Sequence, residues 1–255
     1  MPAIRLHLNN LHALIIRDMM TRFGRNNLGF IWTILEPMIL CTGVMTIWSL
    51  IHDSVIRGIP IISFVLTGYM PLTLWRHMTN PLVRVISNNA GLLYHTYLTH
   101  LDIVIARQVL EFLSSTAALV LIYLILLSLG LAEPVQDMGL LLAAWLLIGW
   151  FHSGIGLIIA ALTEKYERAE KFVGPANYLA LPISGVFFMV DWLPSNAQRL
   201  IAWNPTIHGF EMFRAGFFGE SVATHYDPLY LGLWSLALTV IGIAAVQSAR
   251  DHVHA

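Results

Sequence analysis

Charge is what this sequence has least of. Only 11% of its 255 residues are Asp, Glu, Lys or Arg, against roughly 25% in an ordinary soluble domain, and its only lysines are Lys165 and Lys171. The formal net charge of −1 leaves no basic surplus for a nucleic-acid backbone, and no stripe of Lys or Arg interleaves with aromatics, so no nucleic acid is expected as a partner. A single cysteine, Cys41, cannot build a disulfide framework or a cysteine-type metal site within one chain. No His-Glu-x-x-His pattern accompanies the eleven histidines, so no metal site is expected. Paired carboxylates and a nucleophile with its base are also missing, and the chain does not read as an enzyme. It has no Gly-x-x-x-x-Gly-Lys-Ser/Thr loop to cradle nucleotide phosphates, so any ATP that drives it belongs to another subunit. A cleavable leader is not visible either: the first apolar run begins only near Leu28, behind an amphipathic segment, and the N-terminus is expected to be retained.

What is present is hydrocarbon. Hydrophobic residues make up 57% of the chain and its mean hydropathy is +0.69. The apolar residues fall in separate runs near the ~20 residues of a spanning helix, not in the ~10-residue alternating segments of a barrel. The fold class is therefore all-α integral membrane. Spans are predicted at about Leu28 to Ile51, Ile59 to Trp75, Phe112 to Ala132, Met138 to Leu162, Phe172 to Val190 and Leu229 to Ala249. Residues 28–249 thus form one six-span domain, followed by a tail at 250–255.

Residues 1–27 precede it. Ile4, Leu8, Leu11, Ile15 and Met19 recur at helical spacing, with Arg5, His12 and Arg17 on other faces, which predicts an amphipathic helix lying in the membrane interface. The polar stretch from Arg84 to Arg107 is expected to hold a short lateral helix. Between spans five and six, about 196–224 reads as two short half-helices that dip into the outer interface, a geometry allowed only where protein or water covers the backbone. In the fourth span Gly149, Ser153, Gly156 and Ala160 make a smooth stripe for close helix contact.

Basic residues favour the cytoplasmic side. With both termini inside, Arg5, Arg17, Arg22, Arg25, Arg76, Arg84, Arg107, Lys165, Arg168, Lys171 and Arg250 are cytoplasmic, and only Arg57, Arg199 and Arg214 are not.

Ionisable residues in or beside spans are functional candidates by default. Here they are Glu36, Arg76, His77, Glu111, His152 and Asp191. Simpler roles compete: an ion pair between Arg107 and Glu111 four residues apart, a hydrogen-bonded packing histidine at 152, and a kink at Glu36-Pro37. Phe187, Phe188, Trp192, Trp203, Phe210, Phe213, Phe217 and Phe218 gather toward one outer mouth, either as interface anchors or as a stacking surface for sugar rings.

The run Arg22-Phe23-Gly24-Arg25, Leu28-Gly29-Phe30, Trp32 and Glu36-Pro37 resembles the start of the first span in permease subunits of type-2 ABC exporters, in the group that exports capsular polysaccharide. Leu66-Thr67-Gly68-Tyr69-Met70-Pro71, Trp75-Arg76-His77, Leu92-Leu93-Tyr94-His95 and Asn204-Pro205 with His208, Glu211 and Arg214 are similar to the same group. The likeness covers essentially the whole chain, and the absence of a Phe-Pro element after Tyr94 favours the capsule group over the O-antigen group.

The resemblance implies a homodimer of permeases in the bacterial inner membrane with two ABC ATPase subunits. ATP and Mg would be held by those subunits and no cofactor by this chain. The cargo would be a lipid-linked polysaccharide, passed toward periplasmic co-polymerase and outer-membrane export proteins. Residues 87–100 would contain the segment that couples to the ATPase, with Asn89, Leu92, Leu93, Tyr94 and His95 as its candidates. Arg22, Arg25, Trp32, Arg76, His77, Trp192, Phe210, Glu211 and Arg214 are the candidates for the substrate path. Two other readings stay open: an ATP-independent secondary transporter or channel, which would show inverted repeats, and an export permease of the O-antigen or teichoic-acid type. A membrane enzyme acting on lipid-linked sugar would need an acidic or metal cluster.

Overall fold

A computed structural model describes residues 11–20, 28–51, 55–92 and 98–249, and these are almost entirely helical. Helix α1 covers 11–20. The long helices that follow are α2 (Leu28–Ile51), α3 (Ile61–Thr79), α4 (His100–Ser128) and α5 (Met138–Lys165). Next come the short α6 (Glu170–Ala180), α7 (Ser195–Ile201) and α8 (Pro205–Phe218), and finally α9 (Pro228–Ala249). Among the described residues, α4, α5 and α9 are long and apolar enough to cross a membrane.

α3 is the centre of the bundle. Most of its side chains are buried, including Phe64, Leu66, Met70 and Leu74, and they share one apolar core with α2, α4, α5 and α8. A two-residue hairpin leads into it: Val55–Ile56 (β1) pairs antiparallel with Ile59–Pro60 (β2). Its turn residues Arg57 and Gly58 have φ of 49° and 86°, the left-handed pair that suits the twist of a tight hairpin.

Close approach elsewhere depends on small residues. A Cβ on Gly156 would sit 2.4 Å from the Met78 carbonyl, and one on Gly154 would sit 2.7 Å from Leu238, so the stripe on α5 brings it against the end of α3 and its other side against α9.

Three expectations are corrected. α4 begins at His100, not near Phe112, because a capping box starts it: Thr99 Oγ1 accepts from the Asp102 N–H at 3.2 Å and Asp102 Oδ2 accepts from the Thr99 N–H at 2.9 Å. Among the described residues between Arg84 and Arg107, the expected lateral helix is a short 3-10 segment, Ser87–Leu92, followed by the start of α4 at His100. The stretch from Phe172 to Val190 is not one helix either. α6 stops at Ala180, Pro182 sits in a 3-10 turn, and Gly185 has φ of 87°. Arg22, Arg25, Leu93, Tyr94 and His95 lie outside the described residues, as does most of the segment expected at 1–27.

Candidate functional site

Two constellations stand out, one at each end of the bundle. The first is the turn from Asn80 to Leu92. Its apolar side chains Leu82, Val85 and Ile86 are buried against Ile103 and Val104 of α4, Leu157 and Ala160 of α5, and Val246 of α9. Polar bonds then strap it in place. The Arg84 N–H donates to Thr163 Oγ1 at 3.0 Å, and the Ser87 N–H donates to Glu164 Oε2 at 3.0 Å, with the Ser87 hydroxyl on the same oxygen. Asn177 Nδ2 donates to Asn80 Oδ1 at 2.8 Å, and Arg84 faces Glu170 at 3.6 Å. Arg84 holds φ of 53°, a left-handed conformation that a non-glycine residue adopts only when its surroundings hold it there. Asn88, Ala90 and Gly91 remain exposed on the outer face of the turn.

α1 is fastened to the same turn. Arg17 Nη2 donates to Asn89 Oδ1 at 2.8 Å, and Asn89 Nδ2 donates back to the Val85 carbonyl at 2.8 Å. The adjacent Asp18 faces Arg107 at 3.9 Å. Arg107 Nε meets Glu111 Oε1 at 3.0 Å, Glu111 faces His77 Nδ1 at 3.7 Å, and His77 shares a 3.0 Å hydrogen bond with Ser115. A connected line of side chains therefore runs from α1 through α4 to the last turn of α3.

The second constellation is α8. Asn204 caps it, accepting from the Thr206 N–H at 3.1 Å, and Pro205 occupies the first helical position, where its missing N–H costs nothing. Three polar residues on α8 then hold the loops on either side. His208 Nε2 donates to the Ala202 carbonyl at 2.8 Å, while its Nδ1 accepts from the Asp227 N–H at 2.9 Å. Glu211 accepts from the N–H groups of Val190 and His225 at 3.2 and 3.0 Å. Arg214 donates to the carbonyls of Gly185, Val186 and Phe188 at 2.7 to 2.9 Å and lies over the Phe64 ring at 4.7 Å. Glu211 and Arg214 face each other at 3.9 Å. Buried irregular backbone must have its polar groups satisfied, and these side chains do that for the 185–190 and 221–227 loops.

The sequence profile of the ABC-2 type transporter family matches residues 9–218. The chain belongs to the ABC-2 type transporter family. It is 38% identical over 235 residues to the capsule polysaccharide export inner-membrane protein CtrC of Neisseria meningitidis serogroup B, covering 92% of this chain and 89% of the relative. It is 36% identical over 238 residues to the capsule polysaccharide export inner-membrane protein BexB of Haemophilus influenzae, covering 93% and 90%. The polysialic acid transport protein KpsM of Escherichia coli is 27% identical over 245 residues, covering 94% and 93%.

In this ABC-2 chain the predicted site residues separate into groups. Trp32 is 59% exposed on α2. Glu36 is also exposed there and makes no ion pair or hydrogen bond among the described residues. Arg76 is exposed near the end of α3, beside a cavity of about 70 Å³ against α6. His77 is part of the Glu111 line. Trp192 is half-buried, stacked on Phe64 at 5.0 Å with the Arg57 guanidinium 5.4 Å above its ring. Phe210, Glu211 and Arg214 are fully buried within the protomer, and Phe213, Phe217 and Phe218 are buried with them. Of the eight gathered aromatics, Phe187, Phe188, Trp192 and Trp203 remain at least partly exposed. His152 is a packing histidine, donating from Nδ1 to the Ile148 carbonyl at 2.9 Å and stacked on Trp75. Asn89 and Leu92 are the coupling candidates within the described residues, both half-buried.

Sequence reasoning missed the partners of these residues. Thr163 and Glu164 fall just beyond the fourth span expected to end at Leu162, with Glu164 opening a charged loop, yet they hold the Asn80–Leu92 turn. Asn80 and Asn177 gave no signal in the sequence.

Proposed function

We propose that the chain is the permease subunit of an ATP-driven exporter that carries a lipid-linked capsular polysaccharide across the bacterial inner membrane. The observation that carries this reading is the similarity over nearly its whole length to capsule polysaccharide export inner-membrane proteins, at 36 to 38% identity. We assign six spans to α2, α3, α4, α5, the broken segment from α6 to Val190, and α9. Residues 1–27 are the interfacial segment, α7 and α8 the outer half-helices, and both termini are cytoplasmic. The eleven basic residues on that side against three on the other support this orientation.

Two such chains pair, and two ABC ATPase subunits supply the ATP and Mg that this chain has no P-loop to hold. The ATPase engages residues 87–100. The exposed Asn88, Ala90 and Gly91 offer a surface for it, and the Thr163, Glu164 and Arg17 bonds give its movement a grip on α5 and α1. The polymer moves along α2, where Glu36, exposed and with no ion pair among the described residues, is a carboxylate on an apolar helix that favours the neighbourhood of water or a second copy. Arg22, Arg25, Trp32 and Arg76 line its inner approach, and Trp192 lies at the outer end. Phe210, Glu211 and Arg214 serve the path by shaping the loops of the outer mouth. Periplasmic co-polymerase and outer-membrane export proteins receive the polymer.

Reversing charge at Arg22 and Arg25 is expected to abolish polymer at the cell surface while the chain still inserts in the membrane. Loss of insertion would show instead that these arginines only anchor the segment. Quantitative surface glycan staining beside membrane fractionation separates the two outcomes.

A further inference from the structure

α4 and α5 follow one another in the chain, and two polar clasps hold them side by side while a third ties the loop between them to α4. Toward the start of α4, Gln108 Nε2 donates to the Ser153 carbonyl and the Ser153 hydroxyl donates to Gln108 Oε1, both at 2.8 Å. Midway, Trp145 Nε1 donates to Thr116 Oγ1 at 2.9 Å. Toward the end of α4, the Val135 N–H donates to the Tyr123 hydroxyl at 3.0 Å. Two hollows lie between the clasps. One of about 420 Å³ has Phe112 and Gly149 on its walls, and one of about 220 Å³ lies against Leu119 and Trp145. Their rims, Leu113, Val120, Leu124, Leu142 and Leu146, are each at least 48% exposed.

Protein interiors are close-packed, and the walls of a void lose dispersion contacts. Apolar hollows do not hold water either. The polar side chains along this groove already have partners, in the clasps or, for Trp150 and Thr239, in each other and the Ser235 carbonyl, so none is left to bind a sugar. Among the described residues no Lys or Arg lines it to hold a phosphate. α4 and α5 are both long and apolar enough to cross a membrane, so the groove is continuous with a surface that faces hydrocarbon. The two hollows fall in opposite halves of α4.

We propose that this groove is a lipid site in which each hollow takes one acyl chain of a bilayer phospholipid from its own leaflet. The chains complete the packing between α4 and α5, which the clasps hold at a fixed spacing.

The test reconstitutes the full chain in vesicles of phosphatidylcholine bearing a photoactivatable diazirine in mid-chain, with no glycolipid, and maps the cross-links by mass spectrometry. Labels should concentrate on Leu113, Val120, Leu142 and Leu146 above the exposed apolar face of α9 at Leu233 and Ile241. Leu142→Trp, which fills the smaller hollow, should remove labelling there and leave the larger hollow and α9 unchanged. Leu146→Trp should do the converse. Where a variant fails to elute as a folded protein, Val120→Trp replaces Leu142→Trp in the smaller hollow and Leu113→Trp replaces Leu146→Trp in the larger. Labelling of the groove no stronger than that of α9, or unaffected by the filling substitutions, would mean ordinary annular contact and overturn the proposal. Labelling that appears only after lipid-linked polysaccharide is added would assign the groove to that lipid and overturn it equally.

Discussion

Arg214 sits where a charge is costly, and its surroundings explain why it is there. It is fully buried, and its guanidinium satisfies three carbonyls of a loop that has no secondary structure of its own. Glu211 beside it satisfies two N–H groups from two different loops. Removing one member of such an arrangement leaves the other buried and uncompensated, which costs about 3–5 kcal/mol. Arg214→Met is therefore expected to lower the thermal unfolding temperature of the detergent-solubilised protein sharply. Arg214→Lys should fall between, because an ammonium cannot present the guanidinium's forked donors to three carbonyls. A melting curve for Arg214→Met that overlays wild type would contradict this role. The pair was visible in the sequence as two charges three apart on one helix. Its purpose was not, because the carbonyls it serves lie 26 to 29 residues earlier in a loop.

At the scale of elements, small residues and straps decide how helices meet. Gly156→Ala places a methyl group 2.3 Å from Leu82 Cδ1 and 2.4 Å from the Met78 carbonyl. Since the second obstacle is backbone, α3 and α5 must separate, and a cost of about 1–3 kcal/mol is expected from overpacking. Gly232→Ala on α9 meets nothing within 4 Å and should be neutral or slightly stabilising by the same thermal assay. The strap on the inner turn makes a different prediction. Glu164→Ala frees Ser87 from α5, so the purified complex should still hydrolyse ATP but export less polymer per ATP. Equal loss of hydrolysis and export would indicate failed assembly with the ATPase, not failed coupling.

These elements were unequally legible. The ranges of α2, α5 and α9 follow from long apolar runs with clear ends, and the structure places them within a few residues of the sequence reading. The start of α4 was hidden because Asp102, Gln108 and Glu111 look like a solvated connection. All three are buried and have partners in the fold: a cap, α5 and Arg107. The segment after α6 failed for the opposite reason. Its composition is apolar enough to span, but Pro182 and Gly185 turn the chain, a local effect that an average over a window conceals. Of the candidate site, the residue types and the local contacts, such as the Arg107–Glu111 pair and the packing role of His152, were readable, and the contacts that join segments far apart in sequence were not.

At the scale of the whole molecule, the account requires the inner turn and the outer mouth to face opposite compartments. In a Cys41→Ala background, a single cysteine at Glu220 should react with an impermeant maleimide on intact spheroplasts. One at Lys171 should react only after permeabilisation. Both positions are exposed, so a reversed pattern would invert the topology. The central claim, that this chain is a permease driven by a separate ATPase, is tested most directly in vesicles that contain lipid-linked capsular polysaccharide on one side and a glycan-degrading enzyme on the other. Polymer should become degradable only when the chain, its ABC ATPase subunit and ATP are all present, with no hydrolysis by the chain alone. Transfer by the chain without the ATPase would contradict the account.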